Sequence, residues 1–103
     1  MARTPQSVLI INPPEVALDE TYDATISATT EITLNASTEY IEVVAIDKAI
    51  FMKWGTTDAS STDWDHVIPA NSFRGFYVPT GITAVNFIEQ AATAILAVSE
   101  FNL

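Results

Sequence analysis

Cysteine is absent from this chain and histidine occurs once, at His66. The first absence excludes disulfides and thiolate metal sites as the means of holding the fold together. The second leaves little acid–base chemistry. Ser60, Ser61, Asp65 and His66 can be drawn as a Ser-His-Asp set, but a triad is a geometry and nothing in the spacing builds one; His66 is expected at a strand edge, and the chain is not expected to be an enzyme. Glycine is scarce, and Gly55, Gly75 and Gly81 form no phosphate-cradling loop. The four basic residues, Arg3, Lys48, Lys53 and Arg74, do not cluster. Against thirteen acids they leave a net charge of −9, a sign that repels nucleic acid and anionic membranes. Neither is expected as a partner. No apolar run approaches the ~20 residues of a membrane-spanning helix. Val8–Ile11 is too short for the apolar stretch of a signal peptide, and Pro5 interrupts its start.

What is present is a greasy chain with few charges. Hydrophobic residues make up 49% and charged residues 17% of 103, enough for one domain with its own core and against disorder throughout. The acids are expected to keep this apolar protein in solution.

From about residue 24 the pattern is one of short strands. Ile32 and Leu34 alternate within "ATTEITLNA", which ends at the turn-forming "NAST" of 35–38. In "EYIEVVAI" (39–46), Tyr40, Glu42, Val44 and Ile46 share one face, and Ile41, Val43 and Ala45 the other. A helix over 39–53 is the competing reading, but β-branched and aromatic density favours strands. Asp47-Lys48 is expected to turn the chain into "AIFMKW" (49–54) as a hairpin. A polar loop follows at 55–63, then a strand near 65–68, a turn at Pro69-Ala70-Asn71 and a strand over 72–78. Pro79-Thr80-Gly81 makes a further turn, because Pro fixes φ and Gly accepts positive φ. Segments 83–89 and 94–101 are expected to form a closing hairpin. Seven such strands, with turn signals every ~8–12 residues, predict an all-β fold, an antiparallel sandwich of jelly-roll type.

Several smaller motifs carry competing readings. Gly75 inside "FRGFYV" marks a bulge or a close approach. Asn35-Ala36-Ser37 matches a glycosylation acceptor and is more simply a turn. Asp58, Asp63 and Asp65 are the best candidate for calcium, yet the EF-hand spacing is absent. A solvated loop is therefore expected there, with no obligatory metal and no cofactor. Trp54, Trp64, Phe76 and Tyr77 could form a sugar-binding platform, or they could be core.

The run "AIDKAIFMKWG…VIPANSFRGFYVPTGITAVNFIEQAATAILAVSEF" resembles the small β-sandwich decoration (cement) and head-associated proteins of tailed bacteriophages. The likeness spans 31–101, in the cadence Trp54-Gly55, Ile68-Pro69-Ala70-Asn71, Arg74, Val78-Pro79-Thr80-Gly81 and the last hairpin. It implies a noncatalytic virion protein on the outer capsid surface, a homo-oligomer (often a trimer at threefold positions) that binds the major capsid protein and bridges capsomers. The alternative is a carbohydrate- or receptor-binding module of a phage tail or fibre.

This resemblance gives the opening stretch a role. Val8, Leu9, Ile10 and Ile11 span ~13 Å as a strand, enough to extend a sheet edge. Pro5 and Pro13-Pro14 stop such a strand from growing. Residues 1–24 are thus expected as an extended N-terminal arm with Val8–Ile11 as its partner-binding segment, and 25–103 as the sandwich. The arm folding back as an edge strand of its own sandwich is the other possibility.

Overall fold

The computed structural model describes residues 17–23, 30–91 and 94–103. Val8, Leu9, Ile10 and Ile11 lie outside the described residues. Within them are eight strands: β1 (Asp19–Asp23), β2 (Thr30–Thr33), β3 (Tyr40–Ile46), β4 (Ile50–Trp54), β5 (His66–Ile68), β6 (Ser72–Tyr77), β7 (Ala84–Glu89) and β8 (Ile95–Phe101). They build two 4-stranded antiparallel sheets, β1-β8-β3-β6 and β2-β7-β4-β5, packed against each other. The pairs β1·β8, β2·β7, β3·β6 and β4·β5 are nested, first with last and so inward. Such nesting is a long antiparallel hairpin rolled into two layers, the jelly roll.

Strict alternation fixes which side of each strand faces in. Ile41, Val43 and Ala45 of β3 and Leu96 and Val98 of β8 point inward, where they meet Ile50 and Met52 of β4, Ile68 of β5 and Val85 and Phe87 of β7. All of these are essentially inaccessible to solvent. Burying a side chain of this size stabilises the fold by about 1.5–3 kcal/mol.

Two expectations about connectivity are corrected. Strands β3 and β4 form no hairpin, and neither do β7 and β8; in each case the partners lie in different sheets. The intervening turns carry the chain over the edge of the sandwich instead of reversing it within a sheet. Asp47, at the β3–β4 corner, has φ 74°, and Asn71, at the β5–β6 corner, has φ 57°, values that Asp and Asn tolerate better than most residues. The Asp47 N–H donates to Asn71 Oδ1 at 2.9 Å, so the two corners brace each other.

The expected boundary at residue 24 also moves. Asp19–Asp23 is an edge strand of the sandwich, paired with β8 from Asp19↔Glu100 to Asp23↔Leu96. The Leu18 N–H extends the ladder to Glu100 O at 2.7 Å. Three carboxylates in five residues hide this strand from an apolar-pattern search, yet charge is what a sheet edge tolerates. Gly75 is no bulge, since pairing runs unbroken through Glu42↔Gly75.

Candidate functional site

The outward face of β1-β8-β3-β6 has the wrong chemistry for a face left to water. Its rows follow from the register: Val44 lies between Phe73 and Ala97, Tyr40 between Tyr77 and Phe101, and Ile46 beside Ile95. Only the row of Gly75, Glu42, Ser99 and Glu20 brings polar groups among them. An antiparallel sheet with one wet face ordinarily alternates apolar-in with polar-out. Here β3 and β8 are apolar on both sides over most of their length. Phe73 is 62% exposed and Tyr77 57% exposed; the others are half-buried.

Aromatic contacts order one end of this face. Tyr40 meets Tyr77 edge-on at 5.4 Å between ring centroids and Phe101 at 6.2 Å. The Tyr40 ring lies over the bare Cα of Gly75, so that a side chain there would collide with its hydroxyl end. Partial burial is the main cause that raises the Tyr40 phenol above its ordinary pKa, with the Glu42 carboxylate and Tyr77 adding to it. The phenol therefore stays neutral, and the face keeps its apolar character, through the physiological range.

The opposite sheet shows what a covered face looks like in this chain. Loop 55–65 folds over the outward side of β4 and β7. Trp64 stacks on Phe51 at 5.7 Å, Asp63 Oδ1 accepts from Lys53 Nζ at 2.9 Å, and Ala59 is buried. The Asp63 hydrogen bond raises the Lys53 ammonium above its ordinary pKa. Beneath the loop, Asn86 Nδ2 donates to Gly55 O at 2.8 Å and Glu31 Oε1 at 3.2 Å; its buried Oδ1 has no partner among the described residues.

The residues singled out in the sequence do not converge. Asp63 holds Lys53, Asp65 Oδ2 accepts the Trp54 N–H at 2.9 Å, and Asp58 is exposed. Among the described residues no group of three His, Cys, Asp or Glu could hold a metal ion. His66 rests on the Phe76 ring at 4.7 Å. The four candidate platform aromatics do not share one surface: Trp54 and Phe76 meet edge-on at 6.0 Å and pack against the core, Trp64 covers β4, and Tyr77 lies on the outward face of the other sheet. Asn35 caps a turn, its Oδ1 accepting from the Ser37 N–H at 2.9 Å. Among the described residues no helix is long and apolar enough to cross a membrane.

One group was missed by sequence reasoning. Glu100 is 1% exposed and inward-facing, and its Oε1 accepts from the Asn35 N–H and the Thr38 hydroxyl, both at 2.7 Å. Alternation with Leu96 and Val98 was the available signal. The carboxylate ties loop 34–39 to β8, a structural role. Comparison with protein-family models, curated proteins and solved structures finds no match for this chain.

Proposed function

We propose that this chain is a noncatalytic structural protein of a tailed-phage virion, a decoration protein that seats the outward face of β1-β8-β3-β6 on the outer capsid surface. The observation that carries the reading is that face: apolar across β3, β8 and β6, with Phe73 and Tyr77 standing out from it, while the opposite sheet is covered by the chain's own loop. Exposed apolar surface of this kind, here crossed by the single polar row of Glu42 and Ser99, marks an interaction site. The sequence resemblance supplies the partner, the major capsid protein. The jelly roll is compatible through fold analogy alone, since viral shells and lectins both use it.

The mechanism is additive. Each contact is modest, and repetition over a lattice multiplies the opposition to capsomer separation. Co-sedimentation with assembled tailed-phage capsids and with free major capsid protein tests this. Binding to the assembled form, lost in Phe73→Lys with Val44→Lys while the far-ultraviolet spectrum stays β, is the expected result. Glycan-array binding without capsid binding would instead support the tail or fibre module.

A further inference from the structure

The two sheets have four edge strands among the described residues, and they are not alike. Strand β1 carries Asp19, Glu20 and Asp23, β2 is four residues long and carries Glu31, and β5 is three residues long. Charge and shortness are the usual protections against edge pairing. Strand β6, "SFRGFY", has neither: it is six residues long, bears no carboxylate, and among the described residues pairs only with β3. Phe73, Arg74, Gly75 and Tyr77 are all exposed.

We infer that β6 is the acceptor edge for residues 8–11 of a second copy of this chain, which add to it as a ninth strand of the two-sheet sandwich. The inference goes beyond capsid binding and does not depend on it. The segment Pro5–Pro14 has no charge, so it meets Arg74 and the β6 aromatics without the repulsion that a −9 chain otherwise brings to self-association. The prolines on either side limit the added strand to the length of one short edge.

Geometry favours a second copy over the chain's own arm. The described chain enters the sheet at β1, the edge opposite β6, and the row Asp19–Glu100–Ile41–Phe76 spans the sheet between them. A position beyond β6 lies four strand spacings away, about 19 Å. Residues 12–17 joining Ile11 to Leu18 reach about 23–25 Å when fully extended, which leaves little slack for passing round the end of the sheet. The chain's own segment would also arrive parallel to β6, in a sheet whose pairings are all antiparallel. A neighbouring copy has neither constraint. Because the described chain enters the sheet at the edge opposite β6, each copy can give and accept at once, a head-to-tail contact that makes a ring where its rotation closes and a filament where it does not.

The absence of cysteine makes the test direct. Chains carrying Ile10→Cys are mixed under mild oxidation with mass-tagged chains carrying Phe73→Cys, and a second pair uses Leu9→Cys with Arg74→Cys to sample the other face. Light scattering on the unmodified chain and on a chain lacking residues 1–16 accompanies this. The expected results are mixed disulfides between tagged and untagged chains in at least one pair, and an oligomer for the full 11.2 kDa chain that gives way to a monomer on truncation. A third chain carries both Ile10→Cys and Phe73→Cys, and a disulfide formed only within that chain, with none between chains, would overturn the inference in favour of the chain's own arm. A monomer at all concentrations with no mixed disulfide would overturn it outright, and capsid binding could then still be found.

Discussion

Tyr40 occupies the space that a side chain at Gly75 would fill: a Cβ built on Gly75 meets the Tyr40 hydroxyl and lies 2.6 Å from Cζ. The two residues are diagonal neighbours across the β3–β6 pair, where an aromatic ring can shelter a strand glycine. Gly75→Ala should therefore push Tyr40 off Tyr77 and Phe101 and destabilise the fold by about 1 kcal/mol. With Tyr40→Leu already in place the sign should reverse, because alanine is the better strand residue by a few tenths of a kcal/mol, roughly. A thermal double-mutant cycle checks this; equal costs in both backgrounds would mean that Tyr40 is not what the glycine accommodates.

Alkaline pH should probe the same ring. The Tyr40 phenol is raised above 10.0 by burial and then by Glu42 and Tyr77, and the Lys53 ammonium above 10.5 by its hydrogen bond to Asp63. A group whose folded pKa is raised contributes stability that is intact below its unfolded pKa and is lost as pH rises through the folded value. Neither group should alter stability between pH 7 and about 9, and both should lower it above about 10. Absorbance at the phenolate band should show a late-titrating tyrosine that disappears in Tyr40→Phe. An unchanged titration curve would remove Tyr40 as its source.

Glu100 gives the largest single-site effect expected. Replacing it by alanine leaves the Asn35 N–H and the Thr38 hydroxyl without their acceptor and opens a void at the inner end of β8. The cost should be about 2–4 kcal/mol, which lowers the melting temperature by roughly 10–20 °C in a domain this small. Glu100→Gln keeps an acceptor oxygen in place and should lose about 1 kcal/mol. Equal melting temperatures for the two variants would show that neither the acceptor oxygen nor the side-chain volume secures loop 34–39, and that the carboxylate charge does.

The layer structure was legible because alternation is a local property: Ile41, Val43 and Ala45 declare one side of β3 within seven residues. Which sheet a strand joins is not local. Asp47-Lys48 reads as a reversal, and the corner between sheets uses the same residues, with Asp47 at φ 74°. Strand β1 was invisible for a different reason, since its acids carry the charge of an edge and none of the apolar pattern of a core strand. The outward face was half legible. Tyr40, Val44 and Ile46 were placed together by spacing alone, but the addition of Phe73, Tyr77, Ile95 and Phe101 required the β6-β3-β8 pairing.

The position of β1 separates two truncations that the sequence alone would treat as equivalent. Removing residues 1–16 leaves every described strand intact, including the Leu18 N–H bond to Glu100 O. That protein should keep its β spectrum and lose no more than a few degrees of melting temperature. Removing residues 1–24 takes away β1 and bares the edge of β8 from Leu96 to Glu100. Five residues of ladder then go unpaired, and β8, with the buried Glu100, becomes a new unprotected edge. The longer deletion should melt at least about 10 °C lower and aggregate on concentration. If both truncations melt together near the full chain, β1 contributes nothing to the sandwich, and the arm extends to residue 24 after all.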